Sequence, residues 1–194
     1  MTNIAAIDSL NIRIPGGLDI DIVHKDPQLS CMNVHCWVLS NNGKSVLIQQ
    51  RSKTTVTHPG KYDISLAGHI DGDELPLDAM LREIKEEGDI DLRGRLIEPK
   101  APLYLEEQGQ SPNRDIYVHN QRVYLYFAVI DPKEIHHFSK ESDISRFEWW
   151  SLDTFALRAA NPTSIRLVPH SSWYYHVVVK KLYELSRERA TITA

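Results

Sequence analysis

The feature that most constrains this chain is the run from Gly68 to Ile90, where a glycine-containing turn leads into a helix with three glutamates on one face. Leu77 to Glu87 has helical periodicity, and Leu77, Leu81, Ile84 and the less regular Met80 share the expected core side. Glu83, Glu86 and Glu87 follow the i, i+3, i+4 rule on another side, with Ala79 one turn earlier leaving that side uncrowded. Three carboxylates this close raise one another's pKa unless a cation sits between them. An oxygen-only donor set suits Mg²⁺ or Mn²⁺, hard cations that commonly bridge to substrate phosphates. A solvated acidic face is the plainer alternative for the bare Glu-x-x-Glu-Glu pattern. Gly68 allows close approach of backbone to a ligand, which makes its carbonyl a further donor. Glu74, eight residues before Arg82, is placed to brace that arginine or to favour the helix N-terminus, a structural role either way.

The rest of the chain reads as a folded protein with a real core. Its 194 residues are 42% hydrophobic and 25% charged, which suits a single domain over 1–194, with 1–30 as an N-terminal extension carrying a short strand and 31–194 as the core. A formal charge of −4 is a poor match for duplex phosphates, so no nucleic-acid partner is expected. No stretch of about 18 apolar residues offers a membrane span. The start lacks the basic and apolar order of a secretory signal, and the expected location is cytoplasmic. Cys31 and Cys36 are too few for a disulfide framework; an odd separation on one strand points them to opposite faces as reduced, partly buried thiols.

Alternation over Leu18 to Val23 predicts a half-buried strand. Val34 to Leu39 and Ser45 to Arg51 flank an Asn41-Asn42-Gly43 turn and read as a hairpin. Tyr62 to Leu66 reads as a short strand, Gly68 to Glu74 as a tight loop, and Arg122 to Ile130 as a nearly continuous buried strand. Ala101 to His119 is expected to hold a strand and a loop. Ile144 to Ser151 predicts a strand, Ser151 to Asp153 a helix start, and Trp173 to Arg189 a last helix. Strands outnumber helices and come in hairpins, so the class is α+β with a mixed sheet.

The central segment resembles the Nudix box: Gly, five residues, Glu, seven residues, then Arg-Glu-apolar-x-Glu-Glu-x-Gly-apolar. Gly68, Glu74, Arg82, Glu83, Ile84, Glu86, Glu87 and Ile90 match; Asp89 stands where the box has its second Gly, and Gly88, one residue early, is expected to take over the left-handed helix cap. The resemblance implies a Nudix fold, a mixed sheet between helices, and hydrolysis of a small-molecule diphosphate with Mg²⁺ or Mn²⁺. By analogy Glu86, Glu87 and the Gly68 carbonyl ligate metal, and Glu83 is a ligand or the base that deprotonates water; Glu83 and Glu86 are the catalytic pair, and Glu74 and Arg82 are structural.

The surroundings, with His35, Val46 to Ser52, Asp63 and Ala67-Gly68-His69, look like the isopentenyl-diphosphate-isomerase-like branch. Isomerases there need a cysteine before Gly-His, where this chain has Ala67, and a downstream Glu-Asn-Glu, whose best match is His119-Asn120-Gln121. A methyl group transfers no proton, so hydrolysis is expected instead of isomerisation. His35 and His69 match metal-ligating positions of the isomerase, with His24 as a third, against hydrogen-bonded structural histidines as the alternative. Arg51 and Lys53 are the expected phosphate-binding residues, with Lys61 a further basic neighbour. Glu141 and Asp143 fall where relatives often place an extra acidic residue. Tyr117, Tyr124 and Tyr126 read as sheet residues or as stacking partners for a ring. His136, His137 and His170 carry no ligand spacing. A non-catalytic nucleotide- or diphosphate-binding module on the same scaffold is the second reading, and the aromatic C-terminal half offers surface for a homodimer.

Overall fold

The computed structural model describes residues 3–110, 116–135, 143–162 and 167–192. Its elements are β1 (Asn3–Ile4), β2 (Ala6–Ile7), β3 (Leu18–Asp19), α1 (Ile20–Lys25), β4 (Ser30–Ser40), β5 (Ser45–Arg51), β6 (Tyr62–Asp63), β7 (Leu66–His69), α2 (Pro76–Gly88), β8 (Leu103–Gln110), β9 (Ile116–Ile130), β10 (Ile144–Ser151), α3 (Leu152–Ala159) and α4 (Ser172–Ile192), with a 3-10 turn at Pro132–Glu134. An eight-stranded mixed sheet runs β10-β5-β4-β9-β8, with β2 and β7 also paired to β4 and β6 to β5. β4 and β9 are parallel over ten registered pairs, from Cys31 opposite Gln121 to Ser40 opposite Ile130.

β4 is buried along its whole length because both its faces are covered. Trp37 and Leu39 point into a cluster with Phe155 of α3 and Tyr174, Val178 and Leu182 of α4. Val34, Cys36 and Val38 point the other way, into a cluster with Ala79, Met80 and Ile84 of α2. The sheet is therefore sandwiched between α2 and the α3–α4 pair, the α+β arrangement expected. Both cysteines are buried and in no disulfide with each other, and the Cys31 thiol donates to the Asn120 carbonyl at 3.5 Å. Tyr124 and Tyr126 pack in the α2-side cluster as sheet residues. No helix among the described residues is long and apolar enough to cross a membrane.

Four local expectations give way. Leu18 to Val23 is a strand only at Leu18–Asp19 and then turns helical, because Asp19 acts as the helix N-cap and Asp21 sits in the first turn. Asp19 accepts the Asp21 N–H at 2.9 Å, Asp21 pairs with Lys25, and only Val23 of α1 is buried. Tyr62 to Leu66 divides into β6 and the start of β7, since the Ser65 hydroxyl leaves the strand pattern to bond the Leu47 carbonyl and the Val38 N–H. Gly68 and His69 belong to strand β7 instead of to a loop. In α2 the fully buried stripe is Ala79, Met80 and Ile84, with Leu77 only partly covered, so the helix is rolled toward its carboxylate side.

The end of α2 is also capped differently. Gly88 stays helical, and Asp89, at φ 49° and ψ 34°, takes the left-handed position itself with its N–H on the Lys85 carbonyl at 3.2 Å. Its carboxylate pairs with Lys85, a local contact that offsets part of the strain. Asp89→Gly is expected to raise stability by about 0.5–1 kcal/mol, or roughly 1–4 °C in thermal unfolding, because glycine takes this conformation without a Cβ clash. An unchanged or lowered midpoint would show that the Lys85 pair outweighs the strain.

Candidate active site on the carboxylate face of α2

Helix α2 begins with Pro76 in its first turn, and Asp78 near the start and Lys85 near the end complement the helix dipole. Burial of Ala79, Met80 and Ile84 sets the rotation of the acidic face. Glu83 is tucked in with its side chain 13% exposed, Glu86 stands out at 60%, and Glu87 turns inward to accept the Ala67 N–H at 3.1 Å. A Cβ on Gly68 would lie 2.0 Å from the Glu83 carboxyl, so the glycine is a steric requirement of the Glu83 position.

Arg82 holds this arrangement together. Its Nε and Nη2 bond both oxygens of Glu74, at 3.1 and 2.9 Å, and Nη2 also reaches the His69 carbonyl at 3.0 Å. Nη1 reaches Glu83 at 2.7 Å and Glu86 at 3.3 Å. All five guanidinium donors are thus engaged. Of the two roles open to Glu74, the geometry selects bracing of Arg82.

The backbone donor falls elsewhere than expected. The Ile70 N–H bonds the Met32 carbonyl of β4, while the Ala67 N–H meets Glu87 and the His69 carbonyl meets Arg82. Alternation along β7 therefore turns the Gly68 carbonyl into the β4 ladder and leaves the Ala67 carbonyl at the open edge beside Glu87. Ala67 replaces Gly68 as the backbone oxygen available to the site.

Burial pushes the Glu83 carboxyl up to about 7, with Arg82 opposing and Glu86 and Asp71 adding to the rise. Burial also raises Glu87 well above its ordinary value, Glu83 adding to the effect. Burial would raise Glu74 too, but the Arg82 hydrogen bonds and the Asp71 N–H outweigh it and hold Glu74 low. Two carboxyls that resist ionisation next to an exposed third form a set that a divalent cation would relieve, and an all-oxygen donor set fits Mg²⁺ or Mn²⁺.

Arg51, at the end of β5, is fixed by Thr57 and Asp63: Nε and Nη2 bond the Thr57 carbonyl and hydroxyl at 3.0 and 3.1 Å, and Nη1 bonds Asp63 at 3.2 Å. Lys53 is exposed and makes no ion pair among the described residues. The Asp143 carbonyl accepts the Ser52 N–H at 2.7 Å, which brings Asp143 close to the end of β5. Glu141, His136, His137 and the side chains of Tyr117 and His119 lie outside the described residues.

The three histidines do not come together. His24, Cys31 and His69 bring one ligand atom each within 4.8 Å of one another, while His35 is elsewhere, its Nδ1 2.9 Å from the Tyr174 hydroxyl. Helix α1 lies over the Cys31 end of β4, with Val23 packed against Cys31. Sequence reasoning also missed the buried pair of Asp63 and His170, at 2.9 Å. Burial alone would raise Asp63; hydrogen bonds and charge from His170, with Arg51, outweigh it and hold the carboxyl at about 2. No local spacing links residues 107 positions apart.

A family model described as NUDIX domain matches residues 30–171. The chain is 29% identical over 121 residues to Nudix hydrolase 3 of Arabidopsis thaliana, covering 62% of this chain and 15% of that protein. It is 41% identical over 61 residues to an uncharacterized Nudix hydrolase of Clostridium acetobutylicum, covering 30% of this chain and 29% of that one. The matched segments thus span less than a third of either relative's length. Among solved structures, DR0079 from Deinococcus radiodurans superposes with a TM-score of 0.61 at 19% identity, over 93% of this chain and 98% of that one. The dihydroneopterin triphosphate pyrophosphohydrolase of E. coli does so with 0.51 at 16% identity, over 82% and 96%. These two likenesses bear on the fold alone.

The raised Glu83 pKa has a stability consequence. Below about 4.5 folded and unfolded chains both hold the proton; as pH rises toward 7 the unfolded chain releases it first, so the group costs stability that is fully lost above about 7. In chelator, Glu83→Gln is expected to exceed wild type by about 1–3 kcal/mol at pH 8 and to match it near pH 4, read by urea unfolding. Equal stabilities at both pH values would refute the strained carboxylate.

Proposed function

The chain belongs to the NUDIX domain family, and from that premise we propose that it is a metal-dependent pyrophosphohydrolase cleaving a small-molecule diphosphate linked to another moiety, with water as nucleophile. The observation that carries the reading is the Glu83–Glu86–Glu87 face, where two carboxyls are held at raised pKa and the third stays exposed beside them. Nudix hydrolases generally use divalent metals, and we assign Mg²⁺ or Mn²⁺ here to Glu86, Glu87 and the Ala67 carbonyl, with Glu83 as a further ligand or as the base. Bound there, the cation would screen the phosphate oxygens and make a bound water more acidic. In the base role, Glu83 draws on the burial that raises its proton affinity in the metal-free chain. Arg51 supplies a guanidinium fork for phosphate oxygens, with Lys53 as a mobile point charge.

Kinship with the isopentenyl-diphosphate-isomerase-like branch remains part of this reading. The Ala67 methyl lies on the strand next to Glu87's anchor and can neither donate nor accept a proton, which favours hydrolysis over isomerisation. The His24–Cys31–His69 group supports a second metal site of different chemistry, since two imidazoles and a thiol suit zinc better than magnesium.

Release of phosphate and pyrophosphate from a panel of diphosphate compounds, with Mg²⁺ and with Mn²⁺, tests the first proposal. Glu86→Gln keeps the shape and removes a charge, and turnover is expected to fall at least about 100-fold. Tight binding of one compound with no turnover of any would instead favour the non-catalytic diphosphate-binding module. For the second site, Co²⁺ is expected to give a thiolate charge-transfer band that Cys31→Ser abolishes and Glu86→Gln leaves intact; the absence of any band would remove the zinc assignment.

A further inference from the structure

We propose that Asp63 and His170 are positioning residues that hold Arg51 as the anion seat of the site. The proposal rests on the diphosphate reading for the chemistry of the anion. Two guanidiniums flank the carboxylate face, and they differ in what they have left to give. Arg82 has all five N–H groups on protein oxygens, from Glu74, Glu83, Glu86 and the His69 carbonyl. Arg51 has three engaged, on the Thr57 carbonyl, the Thr57 hydroxyl and Asp63. Among the described residues one N–H on each terminal nitrogen therefore remains, on a side chain that is 21% exposed. Two donors on one rigid plane are thus left for phosphate oxygens. Glu87 lies within electrostatic reach of both Arg51 and Asp63, so the guanidinium is a neighbour of the carboxylate face.

The direction of the fork is set from behind. Asp63 is buried, and its oxygens divide their work: Oδ2 takes Arg51, while Oδ1 accepts the Ile64 N–H and His170 Nε2, both at 2.9 Å. A carboxylate only accepts, so His170 is the donor in that bond. With one donor from the adjacent backbone and one from a buried imidazole, the carboxylate cannot swing, and Arg51 cannot turn without giving up its partner. His170 lies just before α4, so the segment leading into the last helix reaches the anion seat through Asp63.

The test is a double-mutant cycle on the full chain, titrating inorganic pyrophosphate in the presence of Mg²⁺ by calorimetry. His170→Leu is expected to weaken binding at least about 5-fold, while His170→Gln, which retains a donor, stays within about 2-fold of wild type. In an Arg51→Ala background His170→Leu is expected to cause no further loss. An equal loss with and without Arg51, or no loss in the wild-type background, would overturn the positioning role. Should His170→Leu fail to fold, Asp63→Asn carries the same cycle, because its amide removes the charge facing Arg51 at constant shape. Turnover of the diphosphate panel without this coupling would overturn the inference and leave the hydrolase reading standing. Coupling in pyrophosphate affinity without turnover of any compound would do the reverse.

Discussion

Arg82 is the interaction on which the site depends. Its guanidinium draws together the end of β7, the turn carrying Asp71 and Glu74, and two successive turns of α2. Without that cation the buried Glu83 would face Glu86, Glu87 and Asp71 with no compensation, and burial already opposes its charge. Full engagement also explains why Arg82 serves structure: a planar fork with five oxygens around it has nothing left for a ligand. The preceding loop can therefore be rich in acidic residues and still pack closely on an acidic helix.

Strand β7 separates two chemistries. Gly68 faces the helix and leaves room for the Glu83 carboxyl, while His69 lies on the opposite face with His24 and Cys31. Period-two alternation along four residues is enough to put hard oxygen donors on one side and nitrogen and sulfur donors on the other. The open edge between them carries the Ala67 N–H and carbonyl, so the strand backbone meets the carboxylates where no ladder partner competes.

What could be read from the sequence was whatever depends on local spacing. The ends of β5 and β10, the N-cap at Ser151 and the body of α2 follow from periodicity and turn residues, and the box pattern placed Glu83, Glu86 and Glu87 on one face. What could not be read depends on contacts between distant residues. The roll of α2 toward Ala79 is set by what β7 presents to it, and the carbonyl that reaches the edge is fixed by ladder phase. Cys31 joins two histidines only because α1 lies over that end of β4. Asp89 in a left-handed conformation was hidden by a glycine one residue away, where the eye expects the cap.

The parallel pairing of β4 with β9 carries a kinetic consequence. Cys31 and Gln121 are register partners 90 positions apart, and a parallel pair has no tight turn to bring its strands together. Everything that makes the acidic face, from Arg51 through β7 to α2, lies inside that loop, while Tyr126, Ala128 and Ile130 of β9 complete the core beneath the helix. During synthesis the carboxylate helix is therefore made well before the strand that finishes its floor. The chemistry of the face is local in sequence, yet it arrives only with the slowest class of contact in the molecule.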